Sequence, residues 1–245
     1  MKSNAILLLE KLVEREREEL APSESAPDFF ELFVCDLVLR EFGLDDTELA
    51  DGLVDGTDDG GIDAAYVLVD GRLMSEPGLG AGHRVEPRIQ IICIQANLAG
   101  FSESKILSAT KTMEDLLTLG ESPSTFTRYN SDVIRFIQTF RATYASCDRL
   151  HPRLDIRYLY GAPAEDVHPK AAKLLAAMKA RLTTYFDRCE VRAEALTARR
   201  LLDLHGRART ETVQLRSSRL LASFGRTPGI SAAASSNPTF GTTKE

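Results

Sequence analysis

Ile89 to Ile94 is apolar at every position but Gln90, and the run breaks off into Gln95-Ala96-Asn97. A short, isoleucine-rich stretch of this kind suits a strand buried on both faces, central in a sheet. Gln95 then falls where a buried strand would ordinarily stay apolar. Upstream, Gly60-Gly61-Ile62-Asp63 leads into Ala64-Ala65-Tyr66-Val67-Leu68-Val69, a second strand favoured by Tyr66 and Val67. The polar residues of interest therefore stand at strand ends: Asp63 opens one strand and Gln95 closes the other.

Asp58 and Asp59 precede two glycines, which permit positive φ and a close approach of backbone. Asp63 sits at the edge of an apolar run, where a carboxylate is costly unless a metal or a donor compensates it. Carboxylate and amide oxygens are hard ligands and suit Mg²⁺ or Mn²⁺. The same residues also read as an Asp-Gly hairpin turn with a solvated acid. On the turn alone both readings stand.

The remaining elements predict an α/β fold with a mixed central sheet flanked by helices. Residues 4–20 carry apolar positions at Ile6, Leu9, Val13 and Leu20 and form an amphipathic helix. With the Pro22 to Pro27 loop, residues 1–26 make an N-terminal helix and linker. Asp28 is the expected N-cap of a largely buried helix from Phe29 to Phe42, stopped by Gly43. Leu44 to Asp55 reads as an acidic linking segment. Asp70-Gly71 is a hairpin turn before a short strand at Arg72 to Ser75. Gly78, Gly80 and Gly82 lie in a flexible hairpin tip that lacks the strand-loop-helix setting of a phosphate loop. Helices are expected at Glu103 to Leu119, Ser131 to Asp148, Pro169 to Phe186 and Ala195 to His205. Further strands fall at Leu154 to Gly161 and Cys189 to Arg192, and Val213 to Leu215 opens another.

Composition excludes several classes. A net charge of −6 on 245 residues argues against a passive nucleic-acid coat, which carries a basic face. Cys35, Cys93, Cys147 and Cys189 show no Cys-x-x-Cys spacing, so neither a zinc site nor a disulfide frame is suggested, and Cys35 and Cys93 read as buried thiols. His83, His151, His168 and His205 have no partner at ligand spacing and read as surface residues. No Gly-x-Ser-x-Gly elbow supports a serine hydrolase. No apolar run has the length of a membrane span, and the N-terminus lacks a cleavable signal, so a cytoplasmic protein with no membrane partner is expected.

Asp, a hairpin, and a strand ending in Gln-x-(Lys) resemble the restriction-endonuclease-like core of the PD-(D/E)XK nucleases. The wider set, Phe29-Phe30-Glu31-Leu32-Phe33, Asp55 to Asp63, Gln95-Ala96-Asn97 and Gly100-Phe101-Ser102-Glu103, resembles the N-terminal part of the AIPR (abortive infection phage resistance) proteins. The resemblance spans about residues 1–215, a nuclease-like α/β domain. It implies a phage-defence protein that cleaves nucleic-acid phosphodiesters, DNA in the first instance. Glu31, Asp63 and Gln95 would hold Mg²⁺ or Mn²⁺, with Gln95 contributing its carbonyl. A homodimer is compatible with it. Glu31 reads equally well as a solvated glutamate near a helix N-terminus.

The resemblance fails at one position. The lysine expected two residues after Gln95 is Asn97 in this chain. Such a lysine positions the attacking water and neutralises developing charge, so its loss implies an impaired or inactive site unless another cation substitutes. Lys105, at the start of the next helix, is the nearest candidate; an ordinary exposed helix lysine is the alternative. The catalytic set implied is Asp63, Gln95, Asn97 and Lys105. A degenerate module that binds nucleic acid or a protein partner is the competing function, and an unrelated α/β domain is the third. Residues 216–245 are rich in Ser, Thr, Gly, Ala and Pro without period, which predicts a disordered tail, in keeping with a broken reading frame and a shortened member of the family.

Overall fold

A computed structural model of the chain describes residues 2–54, 56–74, 86–122 and 126–212, with side chains as far as Arg207. The chain runs through α1 (Asn4–Leu20), α2 (Ala26–Leu39), α3 (Asp46–Asp51), β1 (Ala64–Val69), β2 (Arg72–Leu73), β3 (Arg88–Ala96), α4 (Glu103–Leu117), α5 (Ser131–Cys147), β4 (Arg153–Gly161), α6 (Pro169–Leu182), β5 (Cys189–Leu196) and α7 (Ala198–Thr212). The hairpin tip with its glycines and His83, the strand expected at Val213, and the tail lie outside the described residues. Residues 1–206 form one compact unit.

The strands form a mixed sheet in the order β2-β1-β3-β4-β5. β1 is antiparallel to β2 and to β3, whereas β3, β4 and β5 run parallel. The predicted α/β class with a mixed central sheet flanked by helices is what the chain adopts. β3 is central, and every residue from Ile89 to Ala96 is buried. The pleat sends alternate side chains to opposite faces. Ala65, Val67, Ile91, Cys93, Tyr158 and Tyr160 join a core with the inner stripes of α4, α5 and α6. Tyr66, Leu68, Ile92 and Ile94 meet α1, α2 and the start of α7 on the other side.

Several local expectations change. α2 begins at Ala26, because Ser25 rather than Asp28 is its N-cap: the Ser25 hydroxyl accepts the Asp28 N–H, and Pro27 fits the first turn. Its end at Leu39 tightens into a 3₁₀ turn, Arg40–Phe42, closed by Gly43 at φ 65°. The acidic link contains α3, nucleated by a reciprocal capping box between Asp45 and Glu48. α6 stops at Leu182 and not at Phe186. β5 runs on to Leu196, because its parallel pairing with β4 continues to Gly161↔Leu196, and this delays α7 to Ala198. His205 is not a surface residue. Its Nε2 lies 2.8 Å from Glu16 Oε1 and its ring stacks on Phe33 at 6.2 Å, tying α7 to α1 and α2.

Both ends of α4 are held. Ser102 caps its N-terminus. At the other end Arg141 of α5 donates to the carbonyls of Asp115 (2.5 Å), Thr118 (2.6 Å) and Leu116 (3.3 Å). A cation on the last carbonyls of a helix satisfies orphan acceptors and suits the negative end of the dipole.

Thr143 of α5 is fully buried, yet its hydroxyl has no partner among the described residues. Replacing an unpaired buried hydroxyl by an apolar group of the same shape removes a desolvation cost. Thr143→Val is therefore expected to raise stability by about 1 kcal/mol, read as a higher urea midpoint with an unchanged slope; a lower midpoint would mean that the hydroxyl is bonded.

Candidate functional site

The pairing of β1 with β3 builds the site. Ala64 stands opposite Ile94, so one step further Asp63 faces Gln95. The Asp63 backbone is held from both sides: its N–H donates to Ile94 O and its carbonyl accepts from Val54 N, each at 2.9 Å. Across the parallel pairing of β3 and β4, Gln95 is level with Tyr160. Asp63, Gln95 and Tyr160 thus share one rung at the end of three adjacent strands, on the face covered by α4.

Asp63 is 7% exposed and Gln95 2%. Asp63 Oδ2 accepts the Ala96 N–H at 2.7 Å and also the Gln95 Nε2–H. The Gln95 amide nitrogen gives its other proton to Ala96 O at 3.2 Å. Both bonds to Asp63 fall on Oδ2, and among the described residues Gln95 Oε1 is left buried without a partner. Gln95, expected to contribute its carbonyl, spends its amide N–H on the acid.

Burial pushes the Asp63 carboxyl up to about 6, against the Ala96 N–H and the Lys105 charge, while Asp59 adds to the rise. Asp155 of β4 shows the opposite outcome. It is 1% exposed, but burial is outweighed by hydrogen bonds from Arg157 and by the charges of Arg157 and Arg88, which hold it below the usual range. Asp155 is a matched structural charge. Asp63 is incompletely matched, and such groups gather at functional sites.

The cation whose charge Asp63 feels is Lys105. It is no freely exposed helix lysine: its Nζ lies 2.8 Å from Asp59 Oδ2, and its side chain is 38% exposed. Burial works against its charge, and the hydrogen bond and charge of Asp59, with the charge of Asp63, more than offset that and raise its pKa. Asp59 belongs to the turn before β1, where its Oδ1 also accepts the Gly61 N–H at 2.7 Å. The turn reaches α4 because it carries glycine. A Cβ on Gly61, at φ 78°, would stand 2.6 Å from the Lys105 carbonyl, and one on Gly60 2.3 Å from Thr112 Oγ1. Asp59 was visible in the sequence as part of the acidic turn, but nothing in the spacing linked it to Lys105.

Asn97 is occupied with its own loop. Its Oδ1 accepts the Ala99 N–H at 2.9 Å and its Nδ2 lies 3.4 Å from the Tyr160 hydroxyl. Glu31 sits half-buried in the first turns of α2. Its charge and that of Asp63 are both felt at Cys35, whose thiol is pushed up chiefly by burial. Among the described residues no group of three or more His, Cys, Asp or Glu side chains converges as a metal cluster. No known protein family, curated protein or solved structure matches the chain at a significant level.

The electrostatics give a pH test. A carboxyl at about 6 instead of 3.8 carries about 3 kcal/mol of unfavourable free energy once ionised. The folded state then keeps its proton to higher pH than the unfolded chain, so this contribution favours folding below about pH 4 and is lost as pH rises through about 6. Asp63→Asn is expected to be more stable than the parent at pH 8, with the gap closing toward pH 5, in paired urea titrations. A constant gap across that range would mean that Asp63 ionises normally.

Proposed function

We propose that the chain is a divalent-metal-dependent nuclease-like protein of the AIPR type, acting in the cytoplasm in phage defence, with the Asp63 rung as its site. The reading rests above all on Gln95 Oε1, a buried and unpartnered oxygen beside an incompletely matched carboxylate. Two hard oxygens, Asp63 Oδ1 and Gln95 Oε1, fit Mg²⁺ or Mn²⁺, since Mg²⁺ keeps several waters and takes only one or two carboxylates from a protein. Glu31 is the further acid that the family resemblance adds. A divalent ion there would supply a Lewis acid for a phosphodiester oxygen.

The chain's own residues take separate parts. Asp63 provides the fixed negative charge, oriented by Ala96 N–H and Gln95 Nε2. Lys105 brings a positive charge to the same end of the sheet, in place of the strand-end lysine that Asn97 replaces. Its amine, aligned by Asp59, would offset charge developing on the phosphoryl group. The preferred substrate is DNA. The competing reading, a degenerate module that binds nucleic acid or a protein, is favoured by the commitment of the Asn97 side chain to its loop.

Plasmid cleavage in Mn²⁺ separates the two. Cleavage by the parent chain is expected, with none from Asp63→Ala and a loss of about 10²–10³-fold in Lys105→Met, the scale for removing one charge-stabilising donor. Mg²⁺ is expected to raise the melting temperature of the parent and leave that of Asp63→Asn unmoved. Retained DNA binding without cleavage selects the degenerate module; absence of both cleavage and the Mg²⁺ shift removes the metal site altogether.

A further inference from the structure

Tyr160 has no part in the sequence-derived site, yet it is fully buried on the same rung as Asp63 and Gln95. Its hydroxyl is the hub of the segment that joins β3 to α4. It accepts the Ser102 N–H at 3.0 Å, donates to Gly100 O at 3.2 Å, and lies 3.4 Å from Asn97 Nδ2. Phe101 stands edge-on to its ring at 5.2 Å. Asn97 closes the same segment from the other side: its Oδ1 takes the Ala99 N–H, and its own N–H pairs with Gly161 O at 3.0 Å. Ser102, held by Tyr160, is the residue that caps α4, and Lys105 sits in the first turn of that helix.

We propose that Tyr160, together with Asn97, is a positioning pair: the Tyr160 hydroxyl gathers residues 97–102 so that α4 starts where the Lys105 amine reaches Asp59. Asn97 then has an assigned task. At the strand end a lysine cannot both project into the site and fold the loop, whereas an asparagine offers an acceptor for Ala99 and a donor for Tyr160. The cation is supplied one loop later, from a helix whose start depends on those two contacts. The chain Tyr160–Ser102–Lys105–Asp59 is continuous in hydrogen bonds and ion pairs. The positioning itself stands on this geometry alone; only its catalytic consequence rests on the nuclease reading.

The test follows the Lys105 amine directly. Lysines are reductively methylated with ¹³C, the Lys105 resonance is assigned from its absence in Lys105→Arg, and its midpoint is followed with pH. Tyr160→Phe keeps the ring and its Phe101 contact and removes only the hub. The Lys105 midpoint is expected to fall toward that of an ordinary lysine in Tyr160→Phe and, by less, in Asn97→Ala. Leu9→Ala, a core change in α1 on the opposite face of the sheet from α4, is expected to lower the melting temperature and leave the Lys105 midpoint in place. An unchanged midpoint in Tyr160→Phe, or in Asn97→Ala should the first variant not fold, overturns the proposal. So does an equal fall in Leu9→Ala, because the effect would then be general loosening. Plasmid cleavage in Mn²⁺ is run beside it, with a lower kcat at unchanged KM expected for Tyr160→Phe. If the midpoint moves as stated and no variant or parent cuts, the positioning stands and the nuclease reading fails.

Discussion

The antiparallel register between β1 and β3 is the constraint on which the rest of the site depends. Because side chains alternate, a slip of one residue would turn Asp63 toward the α2 face and leave Gln95 with no acid to bond. The register is anchored well beyond the polar residues. Ala65, Val67 and Val69 on one side and Tyr66 and Leu68 on the other fit two separate apolar cores, so either slip would bury the wrong set. Main-chain bonds from Val54 and to Ile94 then hold Asp63, the one residue of the rung that lies outside the ladder. Apolar packing and backbone hydrogen bonds set the geometry, and the charge is placed by them at a cost.

That cost distinguishes the two buried aspartates. Asp155 is surrounded by arginine and serves the sheet, and Asp63 is met by an amide and a backbone N–H and feels the charge of an amine that is bonded to Asp59. A buried acid with so partial a set of partners is not the solution that stability alone would favour. The same holds for Gln95, whose donor side is doubly engaged and whose acceptor side is empty.

Much of this was legible in the sequence, for identifiable reasons. β3 and β1 stood out because apolar runs of that length have few other uses, and Asp63 and Gln95 stood out because they bound those runs. α3 was hidden, since an acidic segment rich in Asp and Glu looks like solvated linker unless the Asp45–Glu48 box is noticed. Tyr160 was hidden more deeply: inside Ile156-Arg157-Tyr158-Leu159-Tyr160 it looks like one more aromatic of a strand, and its role comes from a hydroxyl that reaches a loop distant in sequence. The closeness of Asp59 to Lys105 was not legible at all, because it arises from contact between a turn and a helix backbone that only the packed sheet brings together.

Gly61 makes that contact sensitive to mutation without being polar. The turn bearing Asp59 rests against the carbonyl of Lys105 itself, in the space where any other residue would carry its first carbon. The turn and the helix backbone are therefore spaced by a missing methyl group. In a random mutant library, changes at Gly61 would fall among the harmful ones while sparing every charged group in the protein, and second-site suppressors would be sought along the first turns of α4, where a shift of backbone restores the gap.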